Sequence, residues 1–113
     1  MPPSNLEFLN HIEDEIRFYL KEMEHLSYEE FISDEKLMKA VVRSLEIIGE
    51  ASKKISRELK AKYPKLEWKS ISGMRDRLIH HYFGVDYEVV YRTITLDLPL
   101  FHESIAVIKR DLE

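Results

Sequence analysis

Between residues 34 and 62 the apolar side chains recur at intervals of three and four. Leu37, Val41, Leu45, Ile48, Ser52, Ile55 and Leu59 form one stripe, and Met38, Val42, Ile47 and Ala51 widen it. Such a period fits the 3.6-residue turn of an α-helix and cannot be laid on a strand, whose side chains alternate between faces. A stripe this wide suits an inner helix with neighbours on two sides. Pro64 ends the pattern or closely follows its end.

The other segments repeat that period. Residues 5–26 place Leu6, Leu9, Ile12, Ile16, Tyr19 or Leu20, and Met23 on one face, with acidic residues opposite. Ser27-Tyr-Glu-Glu30 reads as a capping box that opens a short helical turn through Phe31. Asp34 reads as the next N-cap. Residues 67–84 carry Trp68, Ile71, Met74 and Leu78, with Gly84 placed as a C-terminal cap. Gly73 would then stand in mid-helix at a cost of about 1 kcal/mol against Ala, which a close helix–helix contact would explain. Residues 87–111 supply Val89 or Val90, Ile94, Leu98, Phe101, Ile105 and Ile108, and Pro99 within them predicts a kink or break near residues 96–98. The expected fold is all-α, an antiparallel four-helix bundle with a short extra helical turn, as a single domain over residues 1–113.

Composition closes off other classes. Only 3 Gly and 4 Pro leave little turn material for an all-β fold, and the absence of Cys removes disulfides and thiolate metal sites. No basic region followed by an apolar run opens the chain, and no stretch approaches membrane-spanning length, so the expectation is a cytoplasmic protein with no membrane partner. The net charge of −4 is unevenly spread: residues 53–77 hold nine basic and three acidic residues, a local +6. Two readings of that block stay open, a footprint for a phosphate backbone and a solvated helix face.

The block runs into Gly73-Met-Arg-Asp-Arg-Leu-Ile-His-His-Tyr-Phe-Gly84, where Arg75, His80 and Tyr82 stand in the pattern Arg-x4-His-x-Tyr. The pattern resembles the signature of the HepT-like toxins of the HEPN superfamily, small helical ribonucleases. The stretch Arg43-Ser-Leu-Glu-Ile-Ile-Gly-Glu-Ala-Ser52 and Trp68 ahead of the motif extend the resemblance over nearly the whole chain. It implies the toxin of a type II toxin–antitoxin pair, acting on RNA as a metal-independent endonuclease. Arg75 and His80 would work at a shared dimer cleft, and Asp76 would assist from a position where the family more often has Asn. It further implies a minimal nucleotidyltransferase as antitoxin partner. That partner would attach AMP to Tyr82 with ATP as its co-substrate, and hetero-oligomers of the two would be possible; the ribonuclease itself would need no cofactor. The alternative is a non-catalytic helical dimer that serves only to bind the nucleotidyltransferase.

The residue chemistry is consistent with that implication. A histidine titrating near neutrality can move a proton during attack by the RNA 2′-hydroxyl, and an arginine aimed at the phosphate stabilises its gathering charge. Arg77, Lys69 and Lys54 are candidate RNA contacts. On a helix, Asp76 would lie one turn before His80, in reach of its ring. Arg75 and His80, however, would sit roughly 140° apart on the helical wheel. Either the helix loosens before His80, or a second copy completes the site across a two-fold axis. Arg43, Glu46 and Glu50 share one face, and the glutamates read as braces for Arg43 or Arg75. A Tyr at position 82 could also simply cover the helix end. No His-Glu-x-x-His or phosphate-cradling Gly-rich loop is present. His81 is assigned no role, and His11, His25 and His102 are expected to be solvated.

Overall fold

The computed structural model describes residues 4–80 and 84–113, with backbone alone at residues 79 and 80. The elements in chain order are α1 (Asn5–Glu22), α2 (Tyr28–Ile32), α3 (Glu35–Lys54), α4 (Arg57–Lys62), α5 (Trp68–Ser72), α6 (Met74–Leu78), β1 (Ile79–His80), β2 (Gly84–Val85), α7 (Tyr87–Arg92), a π-helical turn (Thr93–Asp97) and α8 (Leu98–Leu112). The fold is all-α apart from the two-residue bridge of β1 with β2.

Long-range bonds fix the helix directions. Asn5, the first residue of α1, exchanges two side-chain hydrogen bonds of 3.0 Å with Ser56, just beyond the end of α3, so α1 and α3 run antiparallel. Tyr91 donates to the Leu26 carbonyl at 2.8 Å, beyond the end of α1. At the middle of α1, Lys109 donates to Glu13 at 2.9 Å, so the α7–α8 arm also runs against α1. The Lys109 bond and the neighbouring Arg17 hold the Glu13 carboxyl below its ordinary pKa. Along α5 and α6, Ile71 lies against Gly49 and Arg75 against Glu46, so this arm descends α3 as its own number rises. These four arms form the bundle expected from the sequence.

The core is the set of stripes turned inward. Leu9, Ile12, Ile16 and Tyr19 of α1 meet Val41, Leu45 and Ile48 of α3, with Val90, Ile94, Leu98, Phe101, Ile105 and Ile108 from the last arm. Each of these large side chains contributes roughly 1.5–3 kcal/mol on burial, far more than helix propensity supplies. Between the two options in α1, Tyr19 is buried and Leu20 is exposed.

The caps are where the sequence places them. Ser27 and Glu30 bond reciprocally in a capping box, and Asp34 accepts from Leu37 N–H at 3.0 Å. Three boundaries differ. The long central helix stops at Lys54 instead of running to residue 62, because Ser56, held by Asn5, caps a new helix by accepting from Leu59 N–H. Gly73 terminates α5 instead of lying in mid-helix. The motif helix ends at Leu78, and Gly84, at φ +78°, opens β2 instead of capping a helix. Such a φ suits a residue without Cβ. The break at Pro99 takes the form of the π turn: Leu98 N–H reaches back to Thr93 O, and Pro99 stands in the first turn of α8, where no N–H is needed.

Candidate active site on the motif helix

Glycine creates the seam on which the site lies. At Gly49 of α3, a Cβ would stand 3.4 Å from the Ile71 carbonyl and 3.6 Å from that of Ser72, so α5 packs against α3 at backbone range. The close contact that Gly73 suggested is therefore made at Gly49. A Cβ at Gly73 would crowd the Lys69 carbonyl at 3.2 Å, a constraint within its own turn.

Three residues beyond this seam the chain presents Arg75, 48% exposed. Its Nε lies 3.6 Å from Glu46 Oε2, and its Nη1 lies 3.9 Å from Asp76 Oδ1. The same Glu46 oxygen is 4.0 Å from Arg43 Nη1. Glu46 is only 27% exposed, so it is a partly desolvated anchor shared by two guanidiniums. Glu50, the other glutamate of that face, pairs with Lys53 at 3.5 Å and leaves Arg75 alone. Arg77 Nη1 donates to Ser70 Oγ, which turns that side chain back along α5. Arg77 and Ser70 border a groove of about 400 Å3 floored by Ile71, Met74, Leu98 and Phe101.

The helix ends one residue after Arg77, at Leu78. His80 then pairs with Gly84 across the β1–β2 bridge, and Asp86 N–H bonds the Leu78 carbonyl at 2.9 Å. Of the two ways to reconcile Arg75 with His80, the helix does loosen before His80. This removes the one-turn relation between Asp76 and His80, because residues four apart stack only while the backbone stays helical. Asp76 instead stands 85% exposed beside Arg75. Tyr82 and His81 lie outside the described residues.

Of the predicted RNA contacts, Lys69 lines a small cavity with Lys53, Lys60, Trp68 and Ser72, whereas Lys54 is exposed at the end of α3 and does not line it. Lys53 and Lys60, which share that lining, were missed individually although both fall in the basic block. Among the described residues, no group of three or more His, Cys, Asp or Glu side chains could hold a metal ion. Nor is any helix there long and apolar enough to cross a membrane.

With this geometry in view, comparison with known proteins is decisive. A family model described as Ribonuclease HepT-like matches residues 9–108. The chain belongs to the HepT-like ribonuclease family. Among curated relatives, "Putative RNase TTE0752" of Caldanaerobacter subterraneus subsp. tengcongensis is 44% identical over 98 residues, covering 87% of this chain and 88% of that one. "Putative RNase MJ0125" of Methanocaldococcus jannaschii is 44% identical over 107 residues, covering 95% of this chain and 89% of its own. "Probable ribonuclease HepT" of Thermococcus cleftensis is 40% identical over 99 residues, 88% of this chain and 90% of that protein. No solved structure matches the chain significantly. The HepT-like assignment thus covers nearly all of α1 through α8.

Proposed function

We propose that this chain is a metal-independent RNA endonuclease, the toxin of a toxin–antitoxin pair, acting in the cytoplasm as a homodimer. The observation that carries the reading is the half-exposed Arg75, anchored by Glu46, three residues before a helix end that hands the chain to His80. The ribonuclease names of its relatives support it.

In the proposed reaction His80 takes the proton of an RNA 2′-hydroxyl. The oxygen attacks the adjacent phosphorus, the bond to the 5′ oxygen breaks, and that oxygen leaves with a proton from water while His80 returns its own to solvent. The products are a 2′,3′-cyclic phosphate and a 5′-hydroxyl, and no metal takes part. Arg75 neutralises charge on the non-bridging oxygens as the phosphorus becomes five-coordinate. Glu46 faces the guanidinium at Nε and the exposed Asp76 faces it at Nη1, so Nη2 is left for phosphate. Asp76 offsets part of the positive charge beside Arg75. A second protomer brings its own motif to a shared cleft, and Leu100, 67% exposed beside the groove that Arg77 borders, supports an interface on this side.

Tyr82 is the proposed control point. A nucleotidyltransferase partner transfers AMP from ATP to its hydroxyl, releasing pyrophosphate, and the added phosphodiester competes with RNA for the arginines. The test is co-expression with a cognate nucleotidyltransferase followed by intact-mass measurement. One or more AMP units on Tyr82, with growth arrest relieved, is expected; Tyr82→Phe should stay unmodified and toxic beside the partner. AMP on another residue, or relief of arrest with Tyr82 unmodified, would refute the control point.

A further inference from the structure

Three lysines from three elements meet along the α3–α5 seam. Lys53 from the last turn of α3, Lys60 from α4 and Lys69 from α5 line a cavity of about 360 Å3 with Trp68 and Ser72, and no carboxylate is among its lining residues. Lys53 has Glu50 at 3.5 Å, both partly solvated; Lys60 and Lys69 have no ion-pair partner among the described residues. Lys60 Nζ lies 5.9 Å from the centre of the Trp68 ring. That ring is fixed, because its Nε1 donates to the Tyr63 carbonyl at 3.1 Å and Phe101 meets it edge-on at 6.0 Å. A cation held against a fixed ring loses part of its hydration, and this burial lowers the pKa of Lys60. A partly desolvated ammonium without a counter-ion is unfavourable until an anion arrives. On the cavity wall, the Ser72 hydroxyl is buried without a hydrogen-bond partner among the described residues.

The cavity is in line with the candidate active site. Glu46, which holds Arg75, and Lys53 stand seven residues apart on α3, about 10 Å along the helix axis. Gly49 lies between them, against the Ile71 and Ser72 carbonyls. A strand of RNA stacked at about 3.4 Å per nucleotide would cover that span in about three steps.

Resting on the ribonuclease reading above, we propose that the Lys53–Lys60–Lys69 cavity is a phosphate subsite for single-stranded RNA. It holds a backbone phosphate a few nucleotides from the one at Arg75. It would fix the direction and register in which RNA crosses the motif, and it gives part of the basic block a defined task.

The test is anisotropy of a labelled, 2′-O-methylated single-stranded 12-mer, uncleavable by attack of a 2′-hydroxyl, titrated with the full chain over a salt series. Lys53→Gln/Lys60→Gln should flatten the dependence of log Kd on log salt by about 0.7, the loss of one phosphate contact. Lys53→Gln/Lys69→Gln should do the same without disturbing the Lys60–Trp68 contact, and Lys60→Arg should keep the wild-type slope. Lys39→Gln, on the first turns of α3 and paired with Glu35, should leave the slope unchanged. A trinucleotide, too short to span both places, should bind all variants nearly alike. Wild-type slopes for both double variants would overturn the subsite while leaving the ribonuclease reading intact, as would an equal flattening by Lys39→Gln. Displacement of the 12-mer by micromolar ATP from wild type, but not from Lys60→Gln, would make the cavity a mononucleotide site and overturn the RNA assignment. A wild-type protein that neither binds nor cleaves RNA would overturn both.

Discussion

A single carboxylate oxygen, Glu46 Oε2, lies between Arg43 and Arg75. Its distances are those of ion pairs rather than short hydrogen bonds, and one arginine is half-exposed, so the pair with Arg75 contributes about 1 kcal/mol at most. In this account its value is orientation. Glu46→Ala should lower kcat/KM about fivefold, the equivalent of that energy, while shifting the melting temperature little. The discriminating measurement is the double variant. If Glu46 acts through Arg75, adding Glu46→Ala to Arg75→Ala should cost nothing further; additive losses would give Glu46 a separate task. The pairing of Glu46 with an arginine could be read from the spacing of Arg43, Glu46 and Glu50. That Glu46 and not Glu50 takes Arg75 could not, because the choice is made by where α6 crosses α3.

At the scale of elements, Gly49 sets how near α5 comes to α3. A methyl group there would sit in ordinary contact with the Ile71 carbonyl at 3.4 Å, and Ala is favoured over Gly in a helix by about 1 kcal/mol. Gly49→Ala should therefore be neutral or slightly stabilising in urea denaturation. Gly49→Leu has no space against that backbone and should destabilise by about 1–3 kcal/mol, reducing activity as Arg75 shifts away from Glu46. Equal tolerance of Ala and Leu would mean that the seam is not tight. Helical periodicity showed the four arms and their buried faces, and Ser27, Asp34 and Pro99 marked their boundaries, because these signals are local. The ends of α3 and α6 were not legible. Helical spacing continues through Ile55 and Leu59, and what breaks it is Asn5 binding Ser56 from 51 residues away. Likewise, Leu78 completes an apolar stripe, yet the chain turns there to pair β1 with β2. The first interruption depends on a partner distant in sequence and the second on a strand pairing that helical periodicity does not reveal.

For the molecule as a whole, the bundle brings the basic block and the motif onto one seam although the chain is acidic overall. Residues 53–77 carry a local +6, while most of the acidic residues lie elsewhere in the sequence. Such a distribution favours encounter with a polyanion without requiring a positive net charge. The proposed homodimer would place two such strips around one cleft. The measurement that bears most directly on the account is cleavage of pure single-stranded RNA by purified protein in EDTA, comparing wild type with Arg75→Ala and His80→Ala. Wild type should cut the RNA and leave 2′,3′-cyclic phosphate ends, and each variant, folded to the same helix content, should be slower by about 100-fold or more. Cleavage by either variant at the wild-type rate, or a wild type that cuts only when divalent metal is restored, would contradict the account.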